Sequence, residues 1–284
     1  MRQNSSPLKF LIGLFLITFS PLITAQAKAE TVLEEIERTG VLRVGIRNDA
    51  IPFGYRKPNG ALTGYCVDFI AALKKRVTER VDREGLLVRL FQSTASNRFA
   101  LVRERTVHIE CGPNTISSAR QDTGVEFSEP FFVTGTQFLI LASERDRVNL
   151  DGTLEGLRIA VLKGTTTEAL LQERYPEATL IKLQGSTARR RGAQGVLQGR
   201  LDGFVSDGIL LIGEVEGLQA AGTPTGNYAI VPEPPLSCDE YGMLIPDDSE
   251  WESLVNSLIG SEEEKEIWRD WFEVVLAQIK GQSC

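Results

Sequence analysis

VLRVGIRNDAIPFGYRKPNGALTGYCVDFIAALKKRV, residues 41–77, lays out a strand, a turn and a helix in order. Val41 to Ile46 is an apolar run of the length of a buried strand. Pro58, Asn59 and Gly60 supply the fixed or positive φ angles of a turn. Ile70, Leu73, Val77 and Val81 then recur at helical spacing, with Lys74, Lys75 and Arg76 available for solvent. Upstream, residues 33–38 suit a short helix stopped by Gly40. Downstream, residues 86–91 and 107–111 read as strands, with a helix at 99–104 between them.

The apolar stretch from Val133 to Ala142 reads as a crossing into a second lobe, where the pattern restarts. Strands are expected at 157–162, near 179–182 and at 201–205, with helices at 167–174 and 187–198. Pro232, Pro234 and Pro235 then lead to an apolar return at 241–245. Alternating strands and helices specify an α/β protein. At the C-terminus Ile267, Trp268, Trp271, Phe272, Val275, Leu276 and Ile279 share one helix face, so the tryptophans read as core.

Arg2 and Lys9 precede an apolar stretch ending near Pro21, followed by Ala25-Gln26-Ala27. That order is a secretory leader, expected to be cleaved after Ala27 or Ala29 and taken as residues 1–27. Without residues 1–27 the chain has 29 basic and 38 acidic residues, a net charge of −9. An acidic exported chain lacks the basic face that nucleic acid requires. No later apolar run approaches the roughly 20 residues of a membrane span. A soluble, monomeric periplasmic protein is therefore expected. Cys66, Cys111, Cys238 and Cys284 fit an oxidising compartment and admit three pairings. None forms a CxxC pair, so no metal and no cofactor is expected.

Open α/β sheets hold ligands beyond the carboxyl ends of their strands. Arg47 follows the first strand; Thr94, Asn97 and Arg98 follow the second; Thr115, Ser117 and Arg120 follow the third. In the second half, Gly164, Thr165, Thr166 and Thr167 follow one strand end, and Ser206 and Asp207 follow another. Three guanidinium groups, a hydroxyl-rich helix start and a carboxylate suit a molecule bearing carboxylates and an ammonium. Each element also has a plainer use: a surface arginine is usually solvated, and Thr165 or Asp207 can cap a helix.

At these same residues the sequence resembles the polar amino-acid-binding proteins of bacterial ABC importers, the family 3 periplasmic solute-binding proteins. The motifs are PFGY at 52–55, GALTGYCVDF at 60–69, NRFALV at 97–102, CGPNTISSAR at 111–120 and EFSEPF at 126–131. KGTTTE at 163–168, GRLDGFVSD at 199–207 and YGMLIP at 241–246 continue the match in order. The resemblance implies the type II periplasmic-binding-protein-like fold, shared with the ligand-binding core of ionotropic glutamate receptors. Two lobes, residues 28–135 plus 236–284 and residues 136–235, are joined by two crossing strands and close around an amino acid, which a membrane permease then receives.

By the same resemblance, Arg120 pairs with the ligand α-carboxylate, Thr115 contacts that end, Asp207 takes the α-ammonium and Thr165 is reached on closure. Arg47, the Asn97–Arg98 pair and the Cys111–Gly112 start are most like the glutamate/aspartate-binding branch, in which extra arginines meet the side-chain carboxylate. Ala50 and Thr94 stand where members for neutral or basic amino acids carry aromatics, and Pro113 where many relatives have Ser. Arg189 aligns with a His of the acidic branch, but is expected to belong to the solvated run Arg189–Arg191. Cys238 and Cys284 match a disulfide of the receptor cores, leaving Cys66 and Cys111 as a second possible pair.

Arg47, Arg98 and Arg120 against Asp207 give an expected site charge of +2, which favours glutamate or aspartate over a neutral amino acid such as glutamine. Some exported dehydratases share the fold, so an enzyme is the competing class. His108, the only histidine, falls within an expected strand, and Glu168 reads as a first-turn helix acid.

Overall fold

The computed structural model describes residues 30–121 and 124–278. The expected leader, residues 1–27, lies outside them, as does Ile279. Two five-stranded sheets share one plan. In the first, Leu87–Gln92, Val41–Ile46 and Ile109–Cys111 run parallel in that spatial order, followed by Leu244–Ile245 and Glu126–Phe127, both antiparallel to their neighbours. In the second, Leu180–Leu183, Ile159–Leu162 and Gly203–Asp207 run parallel, followed by antiparallel Thr136–Leu141 and Tyr228–Val231. Each parallel set reverses its strand order about its first strand, and that reversal opens a crevice at the carboxyl ends. A two-stranded ladder joins the halves, with Phe132 opposite Tyr241 and Thr134 opposite Asp239.

The helix expected around Ile70 spans Tyr65–Arg80, and its apolar stripe of Ile70, Leu73 and Val77 is buried. It begins after Gly64, whose φ of 129° brings it against the Phe53 carbonyl; a Cβ there would lie 2.4 Å from that oxygen. The C-terminal helix Glu262–Gln278 buries Phe272 among Phe53, Phe132 and Tyr65. Trp268 Nε1 donates to the Phe131 carbonyl at 3.2 Å and Trp271 Nε1 to Asp68 at 2.7 Å, so both tryptophans are structural, as their spacing predicts.

Several elements lay beyond periodicity. Residues 49–63 form a small sheet of Asp49–Ala50, Gly54–Arg56 and Leu62–Thr63. Ser249–Leu258 is a helix capped by Asp248. Gly208–Ala220 is a helix with apolar residues on every side: Ile209, Leu210 and Ile212 pack on the first core, and Leu211, Val215 and Leu218 on the second. A helix buried on two faces has no polar stripe to mark its period.

Cys66 and Cys111 form a disulfide, tying the first turn of Tyr65–Arg80 to the last residue of Ile109–Cys111. Cys238 is exposed and bonded to no other described cysteine; Cys284 lies outside the described residues.

His108 serves the fold. Its Nδ1 accepts the Arg43 N–H at 3.2 Å, its carbonyl accepts Trp251 Nε1 at 2.7 Å, and its Nε2 lies 3.4 Å from Glu35. Burial first, then the neighbouring Arg43, pushes the imidazole pKa from 6.5 down to about 4. The depressed folded value means that the unfolded chain takes up a proton first as pH falls. The stabilisation is complete above about pH 6.5 and is lost as pH drops through about 4. It amounts to about 3 kcal/mol. His108→Asn is expected to flatten the loss of melting temperature across that window, and an unchanged pH profile would refute the assignment.

Candidate ligand-binding site

Three strand-end arginines of the first sheet come together, and two of them are withdrawn from water. Arg47 is 1% exposed, and its Nε and Nη2 lie 2.9 and 2.8 Å from Asp49 Oδ1. Its Nη1 is buried without a hydrogen-bond partner among the described residues. Arg98 opens the helix Arg98–Arg103 and is 3% exposed; its Nη1 donates to the Pro113 carbonyl at 2.9 Å and to Asn114 Oδ1 at 2.8 Å. Its Nε is likewise buried without a partner. Burial, reinforced by Arg120 and Arg47, brings its pKa down to about 9. Arg120 is half-buried, with Nη1 donating to the Thr115 carbonyl at 3.1 Å. The Arg98 and Arg120 guanidinium carbons lie 5.3 and 5.4 Å from the Phe99 ring centroid, so one aromatic supports both.

The second sheet supplies the opposing side. Asp207 ends the strand Gly203–Asp207 and stands at the N-cap of Gly208–Ala220, yet its side chain makes no capping bond. Its carboxylate instead accepts the buried Tyr241 hydroxyl and, at 3.5 Å, the Thr167 hydroxyl. Tyr241 carries a phenol pushed far above its ordinary range by burial and by Asp207. Asp239 lies in the same region; burial and Asp207 raise its carboxyl to about 6, against the pull of Ser237 and Arg120. Thr166 Oγ1 donates to Thr115 Oγ1 at 3.2 Å, a direct bond between the second-sheet and first-sheet strand ends.

The hydroxyl of Thr165 is committed locally. It donates to the Leu162 carbonyl at 2.8 Å and accepts Glu168 N–H at 3.1 Å as N-cap of Thr166–Arg174. Glu168 is the first-turn acid expected of it: it accepts the Gly164 N–H at 2.6 Å and pairs with Lys182 at 2.7 Å. The protein's own carboxylate therefore occupies the Gly164 amide. Asn97 closes a local turn, taking the Thr94 N–H at 2.7 Å.

Arg189 corrects the sequence expectation. Arg190 and Arg191 are exposed, whereas Arg189 is 4% exposed and donates Nη1 to Ser206 Oγ at 2.8 Å. Its Nε is buried without a partner among the described residues, and burial followed by Arg47 lowers its pKa. On the helix Ala188–Leu197 it shares the inward face of Gly192, Ala193 and Val196, a spacing that was open to reading. The acids Asp49, Glu110 and Asp239 were also missed. Against the four arginines stand Asp49, Glu110, Asp207 and Asp239, with buried Glu214 acting on Arg189, so the expected +2 excess does not hold.

A cavity of about 400 Å³ opens beside these groups, lined from the first half by Asp49, Thr94, Ser96 and Phe99 and from the second by Lys163 and Gln184. Asp49 and Phe99 are shared between the cavity wall and the guanidinium groups.

Residues 42–282 match the family described as bacterial extracellular solute-binding proteins, family 3. The chain belongs to that family. Among the relatives of this solute-binding protein is the glutamate/aspartate import solute-binding protein of Salmonella typhimurium, 30% identical over 251 residues, covering 86% of this chain and 80% of the relative. A glutamine-binding protein of Geobacillus stearothermophilus is 23% identical and covers 78% of each chain. The crystal structure of the ancestral amino acid-binding protein AncCDT-1, a precursor of cyclohexadienyl dehydratase, superposes with a TM-score of 0.69 at 24% identity, over 85% of this chain and 99% of that one. The fold of this family 3 protein is thus the two-lobed, type II periplasmic-binding-protein fold. Among its described residues no helix is long and apolar enough to cross a membrane.

Proposed function

We propose that this solute-binding protein captures glutamate or aspartate in the periplasm and delivers it to an ABC importer permease. In this reading residues 1–27 are the export leader. The lobes are residues 28–135 with 236–284, and residues 136–235, and they close over the ligand. Arg120 and Thr115 receive the α-carboxylate, Asp207 the α-ammonium, and Arg47, Arg98 and Arg189 the side-chain carboxylate. Thr165 contributes its place at the helix start, since its hydroxyl is already used.

One observation carries the acidic ligand: Arg47 Nη1, Arg98 Nε and Arg189 Nε are buried donors with no acceptor among the described residues. Buried polar groups are almost always hydrogen-bonded, and each orphan costs about 1–3 kcal/mol. A neutral amino acid brings one carboxylate, which Arg120 takes, and at most a single uncharged side-chain carbonyl for the orphans. A second carboxylate supplies the missing acceptors. The 30% identity to a glutamate/aspartate import protein supports the same reading.

The test is calorimetry with the two acids and their amides. The wild type is expected to bind glutamate or aspartate. Arg47→Ala is expected to weaken the acids by about tenfold or more and the amides by under about threefold, the loss of one charge-assisted contact. Tight glutamine binding with neither acid bound would overturn the proposal.

A further inference from the structure

We propose that Glu110 is the internal counter-ion of the guanidinium cluster, and that its charge keeps the empty site stable while weakening capture of the anionic ligand. The proposal rests on the acidic-ligand reading above for its sign.

Glu110 is fully buried, and neutral donors satisfy both of its oxygens: Ser93 Oγ at 2.5 Å and Asn114 Nδ2 at 2.8 Å. Asn114, itself fully buried, turns its other amide atom to Arg98, whose Nη1 donates to Asn114 Oδ1 at 2.8 Å. Carboxylate, amide and guanidinium thus form one chain, and the amide orientation that serves Glu110 also fixes Arg98.

The backbone is cut to fit this carboxylate. Gly45 lies opposite Glu110 in the parallel register of Val41–Ile46 with Ile109–Cys111, and a Cβ there would stand 2.8 Å from Glu110 Cγ. A Cβ on Gly112 would stand 3.0 Å from Glu110 Oε1 and 2.9 Å from Arg47 Cγ, so the carboxylate and the Arg47 stem crowd over one glycine. No arginine forms a direct ion pair with Glu110 among the described residues. A buried carboxylate without a bonded cation is costly unless the surrounding field is positive. Here Arg98, Arg47, Arg120 and Arg189 supply that field: Glu110 raises the proton affinity of Arg98 while the other three lower it.

Removing the charge but not the volume, as Glu110→Gln, leaves the cluster one unit more positive. The consequences have opposite signs: the empty protein loses stability, and a ligand of net charge −1 binds more tightly. A purely structural role moves both the same way, because a disturbed Asn114 releases Arg98 and weakens binding as it lowers the melting point.

The experiment compares wild type, Glu110→Gln and Asn114→Ala by calorimetry with L-glutamate and L-glutamine at two ionic strengths, with melting curves of the unliganded proteins. For Glu110→Gln the expected results are a lower unliganded melting temperature, L-glutamate affinity about tenfold tighter, near-constant L-glutamine affinity and a steeper salt dependence. Asn114→Ala is expected to bind L-glutamate more weakly. Unchanged or weaker L-glutamate binding by Glu110→Gln overturns the proposal. If that variant is unstable when empty, it is purified in saturating L-glutamate and its release rate measured on dilution, slower release supporting the proposal and faster release refuting it. A wild type that binds no acid refutes the ligand reading alone. Glu110 is then judged on the empty proteins, where sulfate, relative to chloride at equal ionic strength, should restore Glu110→Gln more than wild type; equal restoration refutes the counter-ion role.

Discussion

Arg120→Ala is expected to reduce affinity for glutamate and aspartate by about a hundredfold to a thousandfold, from two lost charge-assisted hydrogen bonds of about 1.5–2 kcal/mol each. Its guanidinium is aimed by two fixed features, the Thr115 carbonyl at 3.1 Å and the Phe99 ring at 5.4 Å. Burial lowers its pKa, while Asp207, Asp239 and Tyr241 oppose that shift. Truncation removes the cation and leaves those acids facing the incoming carboxylate, which adds repulsion to the loss. Arg120→Lys is expected to recover only part of the affinity, because a point charge cannot reproduce the planar fork. The melting temperature should stay close to wild type, since the side chain is only half-buried. Binding within about tenfold of wild type would show that the α-carboxylate is held elsewhere.

The second large effect concerns the disulfide. Cys66 and Cys111 are separated by 45 residues and both are fully buried. Closing a loop of that length stabilises the folded state by about 4 kcal/mol in the chain-entropy treatment. The Cys66→Ala, Cys111→Ala double variant is therefore expected to melt about 8–16 °C lower, at about 2–4 °C per kcal/mol for a chain of this size. Ligand affinity is expected to fall as well, because Cys111 anchors the start of the segment that carries Asn114, Thr115 and Arg120. A drop of under about 3 °C would remove the crosslink from the stability of the fold. So would two alkylatable thiols, beyond Cys238 and Cys284, in the unfolded, unreduced protein.

Most strands and helices were legible because each depends on a few neighbouring residues. Val41–Ile46 and Ile159–Leu162 are short buried runs, and Tyr65–Arg80 shows its apolar stripe openly. The helix Gly208–Ala220 was not legible, since burial against two cores erases the periodicity that reveals an amphipathic helix. Within residues 49–63 only the turn at Pro58, Asn59 and Gly60 was legible; the three short strands depend on pairing within the small sheet rather than on apolar pattern.

The same division runs through the candidate site. Chain order fixes the residue that follows each strand, so Arg47, Arg98, Thr115, Arg120 and Asp207 were legible at the strand ends before any packing was known. Which charges are buried, and what faces them, follows from contacts between elements distant in sequence. Arg189 separates from Arg190 and Arg191 because one face of its helix packs inward while the others meet water. Tyr241 reaches Asp207 across 34 residues of chain, and Glu110 acts on Arg98 through Asn114. Those partnerships belong to the packing of separate strands and lobes, and the energy of a charge is set by what surrounds it rather than by its neighbours in sequence.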